Sequence, residues 1–77
     1  MQELLEYLAR ALVDDPEAVR VEQFDEDDGT VLLELSVGEN DYGKVIGRGG
    51  RTANALRTVL KAAAVKEGCR VFVDIVD

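Results

Sequence analysis

Val45-Ile46-Gly47-Arg48-Gly49-Gly50-Arg51 sets three glycines and two arginines between two segments of helical periodicity. Glycine lets the backbone turn sharply and removes the side chain that would hold a ligand off. Such a turn aims backbone N–H groups, and the positive end of the following helix, at a phosphate. The spacing matches neither the GxxxxGK[ST] nor the GxGxxG nucleotide loop. The stretch therefore predicts a helix–turn–helix hairpin with an anion at its turn. The plain alternative is a tight helix–helix turn that binds nothing.

Outward from the turn, residues 52–66 read as the clearest helix. Leu56, Val59, Leu60 and Ala63 make an apolar stripe, Asn54, Arg57 and Lys61 another face, and Gly68 is placed to end the helix as its C′ residue. Before the turn, residues 39–46 suit a short helix led in by Ser36 or Asn40. Val19 to Phe24 and Thr30 to Val37 alternate apolar and polar residues around Asp25-Glu26-Asp27-Asp28-Gly29, the pattern of a hairpin. Residues 2–13 carry Leu4, Leu5, Leu8, Ala11 and Leu12 at helical spacing and stop before Pro16. Arg70 to Val76 alternates again as a last strand. Helix, strand, strand, helix, helix, strand makes an α+β domain, with a three-stranded sheet and three helices on one face. The helical crossover into the last strand suits a parallel pairing. Phe24, Leu32, Phe72 and Val76 fall on the polar phase of their strands, which means either a covered surface or a shifted register.

Seventy-seven residues leave room for one small domain, residues 1–77, that association would help to stabilise. No run is long enough to span a bilayer, and no leader of basic and apolar regions opens the chain. A single cysteine, Cys69, gives no disulfide framework, and a reducing cytoplasm is expected. The absence of histidine removes imidazole bases and Ser-His or Cys-His nucleophile pairs, so no enzyme is expected, and neither a cofactor nor a metal. The acidic turn lacks the spacing and the bidentate glutamate of a calcium loop. The net charge of −7 is unevenly spread: Tyr42 to Lys66 holds no acid and six bases, Lys44, Arg48, Arg51, Arg57, Lys61 and Lys66. A basic patch of this kind attracts phosphate while the acidic remainder weakens non-specific attraction.

The order of elements is the type II KH arrangement, with Gly47-Arg48-Gly49-Gly50 as the GXXG loop that clamps about four nucleotides of RNA backbone. Together with Ala11-Leu12-Val13-Asp14-Asp15-Pro16-Glu17-Ala18-Val19, Tyr42-Gly43-Lys44 and Arg57-Thr58-Val59-Leu60-Lys61-Ala62-Ala63-Ala64, the chain resembles the KhpA family along its whole length. These are small single-domain bacterial KH proteins. The resemblance implies a non-catalytic binder of single-stranded RNA, an RNA chaperone or post-transcriptional regulator. It also implies a homodimer, and a heteromer with a larger protein that joins a KH domain to a second single-strand-binding domain. The middle pair Arg48-Gly49 departs from the Lys-Gln or Arg-Gln of typical members, keeping the charge and loosening the loop. The hairpin turn is also more acidic than the family pattern.

The resulting RNA-binding set is Lys44, Val45, Ile46, Gly47, Arg48, Gly49, Gly50, Arg51, Ala53 and Arg57. The glycines admit the backbone, Arg48 meets phosphate or a base, and Arg51 stands at a helix start where a cation opposes the dipole unless an anion is near. Lys44 reaches the same backbone or is a solvated lysine. Val45, Ile46, Ala53 and Leu56 wall an apolar groove for unstacked bases or are plain core. Arg57 and Lys61 extend the phosphate track or are surface. Ala62, Ala63 and Ala64 offer a close helix contact between subunits. A second functional reading makes the fold a protein-interaction or dimerisation scaffold with its acidic part facing the partner.

Overall fold

The computed structural model describes residues 1–77. Three α-helices, α1 (Gln2–Leu12), α2 (Tyr42–Ile46) and α3 (Arg51–Glu67), accompany three strands, β1 (Arg20–Asp25), β2 (Thr30–Ser36) and β3 (Arg70–Ile75). The sheet order is β1-β2-β3, with β1 antiparallel and β3 parallel to β2. The expected order of elements and the parallel pairing are both present. The expected short helix at 39–46 is a 3-10 turn, Glu39–Asp41, followed by α2, and neither Ser36 nor Asn40 caps it.

Alternation in the strands sorts the two faces. Val21, Val31, Leu33, Leu35, Val71, Val73 and Ile75 turn inward, where they meet Leu5 and Ala9 of α1, Val45 of α2, and Ala53, Leu56, Leu60 and Ala64 of α3. Burial of this surface is the main driving force for the fold. The stripe on α3 differs from the expected one. Ala53 and Ala64 are core, whereas Val59 is 44% exposed and Ala63 half-buried. A small residue at each end of the stripe lets α3 lie close to the sheet. In α1, likewise, Leu5 and Ala9 carry the contact. Ala11 and Leu12 are exposed and flank an apolar groove against Ala55 and Val59 of α3.

On the outer face the register has no shift, so Phe24, Leu32 and Phe72 do point away from the core. They stand opposite one another across the three strands, next to a row of Glu22, Glu34 and Asp74. At the far end of α3, Gly68 has φ +72°. Cys69 N–H bonds Ala64 O at 3.0 Å and Gly68 N–H bonds Val65 O at 3.1 Å, a Schellman cap.

One buried charge ties the layers together. Asp41 is 2% exposed, and its carboxylate accepts the N–H of Asp14 at 3.1 Å and of Asp15 at 3.0 Å. The segment leaving α1 is thereby fastened to the start of α2. The N–H of Asp14 first, then that of Asp15 and the nearby Lys44 ammonium, hold the Asp41 carboxyl below the usual carboxylate range.

Candidate nucleic-acid interface

Helix α2 ends because Gly47 takes φ +77° and ψ 169°, while its N–H still bonds Gly43 O at 2.8 Å. No other residue fits there. A Cβ on Gly47 would lie 2.3 Å from Thr52 Oγ1 and 2.8 Å from the Thr52 backbone N, so the turn rests directly on the first turn of α3. Arg48 to Gly50 form one tight turn, closed by Gly50 N–H to Gly47 O at 3.1 Å and by Arg51 N–H to Arg48 O. Gly49 (φ +64°) and Gly50 (φ +79°) are both left-handed. Gly49 thus does more than loosen the loop: it occupies a conformation that glycine adopts without the steric cost a Cβ would bring.

The 17-residue α3 begins on this turn with no side-chain cap and no acid in its first turn. Arg48, Gly49 and Arg51 are all exposed around it. Uncapped N–H groups, a helix dipole and two guanidinium groups on glycine backbone form a site for an anion.

Farther along α3, from Arg57 onward, a groove lies between the helix and β3. Because β3 is an edge strand and Val76 N–H bonds Leu35 O, the alternate residues Val71, Val73 and Ile75 direct their backbone groups to the open side. Arg57, half-buried, reaches across with Nε to Val73 O at 3.1 Å and with Nη1 to Asn54 Oδ1 at 3.2 Å. Arg57 and Lys61 line a shallow hollow of about 120 Å³ with Val71, Phe72 and Val73. Towards Cys69 and Arg70 a second hollow of about 300 Å³ follows, again beside Lys61. The groove therefore has cations on its helical wall and unpaired strand backbone on the other.

Of the residues singled out in the sequence, Gly47, Arg48, Gly49, Gly50 and Arg51 come together at the surface, and Arg57 stands in the adjoining groove. Val45 and Ala53 do not wall it. They are 0% and 2% exposed and pack in the core behind the loop, because α2 and α3 must bury one side each to cover the sheet. Ile46 is partly buried against the same core, and Leu56 lines the groove with α1 on the opposite side of α3. The Lys44 ammonium is paired with the Asp14 carboxylate and lies 3.7 Å from Asp41, so its charge is already met within the fold. The bond to Asp14 first, and then the charges of both carboxylates, push its pKa up. Sequence reading missed the β3 edge, which exists only once strand order is known. It also missed the fixing of Arg57 by Asn54, for which the i, i+3 spacing on α3 was the available signal.

Comparison with known proteins gives the family and agrees with the fold. The family model for the KH domain of KhpA/KhpB matches residues 2–75. The RNA-binding protein KhpA of Halalkalibacterium halodurans is 53% identical over 77 residues, covering 100% of both chains. That of Clostridium acetobutylicum is 51% identical over 76 residues, 99% of this chain and 100% of the relative. Among solved structures, Era in complex with MgGDPNP and nucleotides 1506–1542 of 16S ribosomal RNA superposes with a TM-score of 0.65. The match covers 96% of this chain and 28% of Era at 19% identity, a likeness of fold.

Proposed function

The chain belongs to the KhpA/KhpB KH-domain family, and from that premise we propose that it binds short single-stranded RNA through the Gly47–Gly50 loop. The observation that carries this reading is the loop itself: left-handed glycine backbone on the uncapped start of a long helix, with Arg48 and Arg51 exposed beside it. Phosphates sit against the loop and the α3 N-terminus, while bases enter the groove between α3 and the β3 edge. There the backbone groups of Val71 and Ile75, with Arg57 and Lys61, are the hydrogen-bonding partners. Backbone partners discriminate bases weakly, so sequence preference is modest. The protein is a binding module and not an enzyme. It works in the cytoplasm as an RNA chaperone or post-transcriptional regulator, as a homodimer or with a larger KH-containing partner. Two linked clamps on one RNA raise avidity.

The test is fluorescence anisotropy of a short labelled RNA pool, with wild type and the Arg48→Asp, Gly49→Asp double variant, both checked for folding by circular dichroism. Binding by wild type alone supports the clamp. Equal binding by wild type and the folded variant sinks it.

A further inference from the structure

All three helices cover one face of the sheet, and the other face is open. Across it Phe24, Leu32 and Phe72 stand side by side, with Phe24 44% and Phe72 50% exposed. Two half-exposed aromatic rings flanking a leucine make an apolar patch of the kind that anchors protein interfaces. Acid borders the row on both sides. On one side Glu22, Glu34 and Asp74 lie directly opposite one another, an arrangement of like charges that weakens a sheet. On the other, Glu26, Asp27 and Asp28 of the hairpin turn, three acids against the single cation Arg70, rim an open hollow of about 530 Å³ floored by Leu32 and Phe72. The Arg70 guanidinium lies 5.7 Å from the Phe72 ring centroid, so the ring already accepts a cation on its face.

We propose that this open face docks a cationic, apolar segment of a protein partner. Lysine or arginine side chains meet the acidic borders while apolar side chains cover the row of Phe24, Leu32 and Phe72. Charge selects this occupant. RNA would bring phosphates against both borders. A second copy laid face to face would set an equally acidic surface against this one. No three carboxylates converge on a point where a metal ion would sit. The inference rests on the preceding section only in giving the chain a protein partner. Phe72 also borders the α3–β3 groove, but Phe24, Leu32 and Glu34 lie outside both the loop and that groove, so through them the two readings fail separately.

The test is an amide-resolved NMR titration of the full chain with a synthetic lysine–leucine amphipathic peptide. A glutamate–leucine peptide of the same pattern and polylysine serve as controls. The lysine–leucine peptide is expected to shift Glu22, Phe24, Leu32, Glu34, Phe72 and Asp74, and to bind more tightly than either control. The Phe24→Ser, Leu32→Ser double variant weakens it by about tenfold or more, an anchor-sized loss. Glu34→Lys does the same and carries the test if the double variant fails to fold. Both leave RNA binding unchanged. Glu34→Gln raises Tm in the absence of any partner by relieving the acidic row. The proposal is overturned if the shifts fall elsewhere or if polylysine binds as tightly as the patterned peptide. It is also overturned if RNA shifts Phe24 and Leu32, or if the free protein self-associates through that row in sedimentation.

Discussion

Gly47 and Gly49 belong to the same loop and are held to glycine for different reasons. At Gly47 the left-handed backbone coincides with a collision against Thr52, whereas a Cβ on Gly49 meets nothing within 4 Å. Gly49→Ala therefore costs about 1 kcal/mol, from backbone conformation alone. Gly47→Ala costs more, because α3 must also shift, and urea melts of the two variants should separate them. The glycine pattern was legible in the sequence, but which glycine is sterically required was not, since Thr52 touches Gly47 only in the folded turn. Lys44 makes the same point more sharply. Its spacing before the loop suggested a phosphate contact, while its partner Asp14 lies far upstream and is joined to it through Asp41. Asp41 carries a pH dependence. Its carboxyl titrates lower folded than unfolded, so its contribution is complete above the ordinary carboxylate value of 3.8 and is lost as pH falls through the lowered folded value. Asp41→Asn should lower Tm at neutral pH, and the gap from wild type should narrow in thermal melts taken towards pH 3.

Among the elements, α3 does most of the positioning, and its buried stripe is the best place to test the packing. Leu60 is fully buried and Val59 is 44% exposed, although the two are adjacent and equally apolar in sequence. Leu60→Ala should cost about 2–5 kcal/mol, and Val59→Ser should stay within about 0.5 kcal/mol, as read from denaturant midpoints. Periodicity located α3 and its end at Gly68, because a helix stripe and a left-handed cap are local properties. It misassigned the stripe's centre because alanine at 53 and 64 reads as neutral in sequence, yet is what allows close approach to the sheet. The strands were legible for the same local reason, and the outward phase of Phe24 and Phe72 could be read before their register was known.

At the scale of the whole molecule, charge is divided between a basic loop-and-α3 side and an acidic remainder. With Lys44 paired to Asp14 at the surface, the cations open to a ligand near the loop and groove are chiefly Arg48, Arg51 and Lys61, with Arg57 partly engaged. About three phosphate contacts give a log–log salt slope of roughly −2 for a single strand. A slope near zero in anisotropy titrations across ionic strength would contradict an electrostatic clamp.

The parallel partnership of β2 with β3 also governs when the groove comes into existence. Thr30 pairs with Arg70, so α2, the glycine loop and α3 all lie in the chain between the two strands that must meet. The β1–β2 hairpin closes through a short turn and forms early, whereas β3 docks only after a long loop has lost its freedom. The groove's strand wall thus forms only after that loop has closed. During synthesis the chain has no complete groove until Ile75 has left the ribosome, so a nascent chain that already displays the loop and its arginines still lacks the edge against which bases would lie.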